Sequence, residues 1–495
     1  MRRTLPRDFV LPESARSFVP EALMPPDVFL FDDLHPEDAA MLQALYSRSP
    51  ASVLTHLEKL RQVGSGTFME QYYVGYGHAS IGDCGATTLF LEGVSMLAAK
   101  AVQDSPLYNG QEASTRYLDF ARQSVLDPYA HPASAAIQDG LKALYSNIRP
   151  RLEAALEARH PFDPTAHKSE RIWRNALAAR SFDIARSLLP MGTTTLLSWT
   201  TSLRHARDSV RRLATHPLPE VRDLAKAILI KLRERYPHSF KPDDATPSPD
   251  DARCTYARDV LQPHHVPSAE DLAARWEVTE DENQRLRTGE VLVRRAALDL
   301  PGLRRHEVPA LTKRPRGAAL PWALGAYGCY SFLFLLDFGS FRDLQRHRNG
   351  VCPQPIFDTS FGFHPWYLAQ IEDLLGPEAA TSVRRALDRL FANLEALPRQ
   401  GGELSPALTQ YLLPMGMRGL VHVAYTVPQT VYVGELRSGA TVHPTLRPVA
   451  QRMLSVLAED VPGIALYGDF SPDAWSPRRG EQTITAQSDR PSGGA

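Results

Sequence analysis

The sequence has no apolar stretch that approaches the length needed to span a bilayer, and no apolar run follows the basic start Met1-Arg2-Arg3. Membrane insertion and export are therefore not expected. Its four cysteines, Cys84, Cys254, Cys329 and Cys352, stand far apart with no CxxC and no paired spacing, which argues against a zinc site or a disulfide framework and for a reducing cytoplasm. Charge of neither sign dominates: Lys plus Arg is 55 and Asp plus Glu is 56, so no global positive field exists to hold nucleic acid or an anionic membrane. Local arginine clusters must do any anion binding. No GxGxxG follows a strand, which disfavours a Rossmann flavoprotein.

What is present is enough for a large core. At 495 residues, with 43% hydrophobic and 22% charged, the chain should be globular and hold two or more domains. Amphipathic spacing predicts helices from Pro36 to Met69, from Ile137 to His160 with a kink at Pro150, from Arg171 to Leu189, from Ser198 to Arg212, and on to Tyr236. Lys241 to Asp251 is rich in Pro and Asp and reads as a linker. The expected layout is an N-terminal arm (1–35), a first domain (36–240), a linker (241–251), a second domain (252–475) and a disordered Gly-, Ser-, Gln- and Arg-rich tail (476–495).

Landmarks recur beyond the linker in the same order. Leu412-Leu413-Pro414-Met415-Gly416 repeats Leu188-Leu189-Pro190-Met191-Gly192 residue for residue, Leu333-Phe334-Leu335 echoes Leu89-Phe90-Leu91, and His443-Pro444 echoes His216-Pro217. Three ordered matches indicate a tandem duplication.

The densest polar cluster lies in the first copy. An apolar run with three- and four-residue steps (Leu89-Phe90-Leu91, Val94, Met96-Leu97, Ala101-Val102) predicts a helix closed by Pro106 and Gly110. In the following Glu112-Ala113-Ser114-Thr115-Arg116-Tyr117, alternate residues share one side of an extended segment. Glu112, Ser114 and Arg116 then present an acceptor, a hydroxyl and a guanidinium fork together, a set suited to a phosphorylated small molecule. A solvated loop whose Glu and Arg pair with each other is the plain alternative. Arg204, Arg207 and Arg211 make a cationic stripe that is either a solvated face or an anion site.

Glu112-x-Ser114-x-Arg116-Tyr117 resembles the end of the signature RHRxxSxNExSxRY of flavin-dependent thymidylate synthases, and Gly77-His78-Ala79-Ser80 resembles that family's GHxS element. The first copy has Asp104-Ser105-Pro106 in place of Arg-His-Arg; the second copy supplies Arg346-His347-Arg348 but continues as Asn349-Gly350-Val351-Cys352. The signature is split between the copies. Gly434 to Gly439 and His443 to Leu457 resemble the family's closing loop and last helix, while Leu196 stands where the family carries a phosphate-binding arginine just after the LPxx element.

The resemblance implies an α+β fold of two tandem domains, each with a central, mostly antiparallel sheet flanked by long helices. It implies methylation of dUMP, or a related uridine nucleotide, at C5 for dTMP biosynthesis, with FAD as cofactor and NADPH and methylenetetrahydrofolate as co-substrates. Glu112, Ser114, Arg116 and Arg212 would bind the nucleotide; His78, Ser80, Arg204, His216, Arg346, His347, Arg348, Arg437 and His443 would approach the flavin. No side chain need act as nucleophile, because the flavin carries the chemistry, and no cysteine here has the Pro-Cys-His setting of the cysteine-dependent thymidylate synthases. A homodimer would stand in for the family's tetramer, with each site composed from both copies. The other reading is a non-catalytic relative that binds nucleotide, flavin or a partner.

Overall fold

The computed structural model describes residues 29–113, 120–165, 167, 169–240, 252–295, 297–399, 404–472 and 475. The first half opens with helices α1 (Pro36–Tyr46) and α2 (Val53–Val63). Strand β1 (Ala86–Ser95) runs into helix α3 (Met96–Gln103), and the long helices α4 (Pro132–Arg159) and α5 (Glu170–Ala185) follow. Strand β2 (Thr194–Ser202) then leads into α6 (Leu203–Ala214) and α7 (Pro219–Arg235).

The second half begins with short helices and β3 (Leu292–Arg294), then repeats the order. Strand β4 (Cys329–Asp337) runs into α8 (Phe338–Leu344), helices α9 (Pro365–Leu375) and α10 (Pro377–Ala392) follow, and β5 (Arg418–Thr426) leads into α11 (Val427–Ser438) and α12 (Arg447–Asp460). Both sheets are antiparallel, in the orders β1-β2 and β3-β4-β5, and the fold is α+β. Among the described residues no helix is long and apolar enough to cross a membrane.

Two of the expected helices begin later than their periodicity implies. Residues 86–95 and 194–202 are strands, so the helices start at Met96 and Leu203. Apolar residues on both faces of a half-buried strand give short-range steps that mimic a helix, and only the capping hydroxyl marks the switch. Ser95 Oγ accepts from Ala98 N at 3.0 Å, and Ser202 Oγ from His205 N at 3.1 Å. Asp337 does the same for α8, accepting from Ser340 N at 3.0 Å.

The copies share one register. Ser95 pairs with Thr194, and Asp337 pairs with Arg418, 224 residues beyond Thr194. Between Glu92 and Val94 the first ladder slips by one residue, with Gly93 at φ 69°, a left-handed conformation that favours glycine in a bulge. That extra residue places Leu89-Phe90-Leu91 where the second copy has Phe332-Leu333-Phe334, one position from the match read off the sequence.

The two Leu-Leu-Pro-Met-Gly segments pair with each other. Met191 N donates to Leu413 O at 2.8 Å and Met415 N to Leu189 O at 2.8 Å; Gly192 N donates to Tyr411 O at 3.1 Å and Gly416 N to Ser187 O at 2.8 Å. Each copy thus offers the same two N–H groups to the same two carbonyls, the pattern of an isologous two-fold contact. The helices after β1 and β4 are buried beside it, and one apolar cluster runs through both halves, from Met96 and Leu97 to Phe338 and Phe341.

Candidate functional site

A cleft of about 380 Å³ opens between the halves. One wall is α3 and the segment after it, with Gln103, Tyr108 and Glu112; the other is α8 and the turn after it, with Arg342, Arg346 and Arg348; Arg186 lies between them. The segment is held on β2 by bridges of Asn109 to Thr200 and of Glu112 to Leu197. Gly110 makes this possible, because a Cβ there would lie 2.0 Å from Ser198 O.

Glu112 is the hinge of the electrostatics. Its carboxylate accepts from Arg342 Nη2 of the other half, from Lys100 Nζ at 2.8 Å and from Gln103 Nε2 at 3.0 Å, while Lys100 Nζ also donates to Gln103 Oε1 at 2.6 Å. Burial alone would raise the Glu112 pKa, but Arg342 and Lys100 outweigh it and hold the group down to about 2. Burial pulls Lys100 down to about 8 against the pull of Glu112. The network stitches the halves together and leaves the cleft an excess of guanidinium.

Arg186 supplies the unsatisfied part. Its side chain is buried, and Nε and Nη2 have no hydrogen-bond partner; Arg342 Nε is orphaned likewise. Burial opposes the Arg186 charge, but Asp183, Tyr367 and Asp343 outweigh it and raise the pKa, so the group stays cationic. Buried donors without partners cost about 1–3 kcal/mol each, more when charged, and an anion in the cleft relieves that cost. Nearer the solvent, Arg348 lies over the Tyr108 ring at 5.0 Å, and Arg346 Nη2 is 3.2 Å from Asp343 Oδ1 with its side chain 57% exposed.

Of the residues expected from the sequence, Glu112, Arg346 and Arg348 line this cleft, and they come from both copies. Ser114 and Arg116 lie outside the described residues. His347 is directed to a layer behind, accepting at Nε2 from Arg437 Nε at 2.7 Å; Arg437 also donates to Asp343 O at 2.9 Å. His443 is buried, with Nε2 3.1 Å from Asp183 O and Nδ1 2.9 Å from Thr445 Oγ1. His216 is buried and accepts from Leu218 N, and Arg212 donates to Ala101 O at 3.1 Å. Arg204 pairs with Asp83 at 2.7 Å on the surface, while His78 and Ser80 are exposed, with His78 stacked on Tyr76. Arg186, Lys100 and Tyr108 were not picked out by the motifs.

The two-fold relation between copies defines a second position where such a cleft could lie. Counting from the shared registers, Lys100 corresponds to Arg342, Asp104 to Arg346, Pro106 to Arg348, Gln354 to Glu112 and Gln410 to Arg186. Lys100, Gln354 and Gln410 are buried, Phe357 N donates to Gln410 Oε1 at 3.0 Å, and burial raises Asp104 to about 6. That position carries the neutral amides Gln354 and Gln410 where the cleft carries Glu112 and Arg186.

The buried histidines give a pH expectation. Burial, reinforced by nearby arginines, holds His216 and His347 down to about 3 and His443 to about 4, so all three are neutral in the fold. The unfolded chain takes up these protons below its ordinary value of about 6.5. Stability should therefore be full above about pH 6.5 and fall as pH drops toward 4, by on the order of 5 kcal/mol in total. Urea midpoints measured between pH 4 and 7.5 check this; a flat profile would contradict neutral burial.

The cleft is cationic and is lined by side chains from both halves of an α+β scaffold. Comparison adds a likeness: residues 31–238 match the model of the Thy1 family, described as thymidylate synthase complementing protein. The likeness to other proteins extends further. A UPF0159 protein of Chlamydia pneumoniae is 25% identical over 455 residues, covering 81% of this chain and 80% of its own. One of Thermoplasma acidophilum is 23% identical over 478 residues, covering 86% and 94%.

Proposed function

We propose that the chain is an FAD-dependent thymidylate synthase-like enzyme that methylates dUMP at C5, with methylenetetrahydrofolate as carbon donor and NADPH as reductant, and that it uses one composite cleft per chain. Its domains would be residues 36–240 and 252–475, working as a homodimer. The observation that carries the reading is Arg186, a buried guanidinium with two orphaned N–H groups in a cleft lined by three further arginines. These donors fit the phosphate of a nucleotide and, at the mouth, the phosphates of a flavin dinucleotide.

In this assignment Arg186 holds the nucleotide phosphate, with Ser114 and Arg116 completing that end. Arg346 and Arg348 hold the cofactor's phosphates at the open side. Glu112 positions Arg342 and does not reach for ligand with its charge, because Lys100 and Arg342 already occupy both carboxylate oxygens. When bound, the flavin supplies the hydride chemistry. The protein binds, orients and excludes water. A nucleotide-binding subunit without turnover is the second reading, favoured by Leu196, 47% exposed at the position of the family's arginine.

Purified protein should carry bound flavin, visible as absorption near the blue, and should form dTMP from dUMP when folate and NADPH are supplied. Nucleotide binding without turnover by flavin-loaded protein selects the second reading. Failure to bind either flavin or dUMP removes both.

A further inference from the structure

Strand β4 is paired along both edges, by β5 and by β3, whereas β1 is paired by β2 alone among the described residues. The shared register makes the difference specific. Leu292, Val293 and Arg294 of β3 lie opposite Leu333, Phe332 and Ser331, and the residues of β1 at those positions are Phe90, Leu89 and Thr88. These three line a groove of about 670 Å³ between β1 and α7, floored by Leu224, Ile228 and Leu232.

In the second half the equivalent space is filled. Val291 and Val293 join the core that holds Val456 and Leu457 of α12, and Arg295 Nε meets Asp460 at 2.6 Å. On the other face of β4, Leu333 is completely buried among Leu272, Trp276 and Leu286, while its counterpart Phe90 is 75% exposed. An open strand edge beside an apolar groove is a seat for one more strand.

We propose that this groove seats the chain's own N-terminal arm, whose run Phe29-Leu30-Phe31 adds to β1 as an antiparallel strand. Three observations select this occupant. The arm leaves at the groove: the His35 ring is 5.4 Å from that of Tyr236, and Tyr236 OH donates to Thr87 Oγ1 at 2.7 Å. Its direction is right, since a strand antiparallel to β1 must end at the Thr87 end, as β3 ends beside Ser331 at the start of β4. Its composition is right as well. Phe29, Leu30 and Phe31 are 48%, 81% and 37% exposed, a run of large apolar side chains between Asp27 and Asp32 with β-forming aromatics, as Val291 to Val293 stands between Glu290 and Arg294. The arm-seated form buries both exposed surfaces at once.

Amide hydrogen exchange on the full chain tests this, read at residues 87–92 and at two protein concentrations. Residues 87–92 should exchange about tenfold or more slowly in the wild type than in Leu30→Pro, where the strand loses a donor, and the rates should not depend on concentration. From the receiving side, Phe90→Lys should release residues 29–31 to fast exchange. Equal rates in wild type and Leu30→Pro overturn the proposal, as does protection that disappears on dilution, which would assign the groove to a second copy.

Discussion

Arg186→Ala is expected to weaken dUMP binding by about 2–3 kcal/mol, roughly 30- to 150-fold, the scale of a charge-assisted hydrogen bond in a desolvated site. The fold should survive. Arg186 has two N–H groups unmatched by protein acceptors, so little native hydrogen bonding is lost with it, although Asp183, Asp337 and Asp343 lose a nearby positive charge. Arg186→Lys keeps that charge but not the fork, and should recover stability more than affinity. Isothermal titration with dUMP and with inorganic phosphate reads the effect. A dissociation constant for dUMP that does not move in Arg186→Ala would remove this residue from the site and the main support for the functional reading.

Glu112→Ala should be the most destabilising single change at the cleft, by about 3–5 kcal/mol, because it leaves two buried cations without their shared counter-ion. Lys100 and Arg342 are 0% and 7% exposed, so water cannot replace the carboxylate. The pH dependence identifies the cause. In the native chain Glu112 is held far below its ordinary pKa, so its contribution is present above about pH 4.5 and is lost as pH falls toward 2. In Glu112→Ala, Lys100 drops below its present value of about 8 and sheds its proton more readily, so the deficit should narrow as pH rises toward 8. Urea denaturation at pH 6 and 8 decides it. A loss below about 1 kcal/mol would mean that the pairs are solvated after all.

The recurrence of landmarks was legible in the sequence because the Leu-Leu-Pro-Met-Gly match is a local pattern of residue identity, and the α+β architecture was legible through the resemblance; of the expected composite set, Glu112, Arg346 and Arg348 line one cleft. The positions of β1 and β2 were not legible. Their apolar residues face a core on one side and, at Phe90 and Leu196, solvent on the other, so the alternation is blurred into helix-like steps. Arg186 escaped notice for a different reason. It sits in a mostly apolar helix end, where nothing local separates a ligand-facing arginine from a structural one. The usable signal was the comparison between copies: Gln410 replaces Arg186 and Gln354 replaces Glu112, while Leu188 to Gly192 is kept whole.

The backbone contact between the two Leu-Leu-Pro-Met-Gly segments also fixes how the site responds to dilution. Where such a contact joins separate chains, the walls of the cleft part as the subunits dissociate, and ligand affinity falls with protein concentration. Here Glu112 and Arg342 are tethered by one polypeptide, so each meets the other at an effective concentration that short tethers commonly set near the millimolar range. Nanomolar and micromolar solutions of this chain should therefore hold the same fraction of formed clefts.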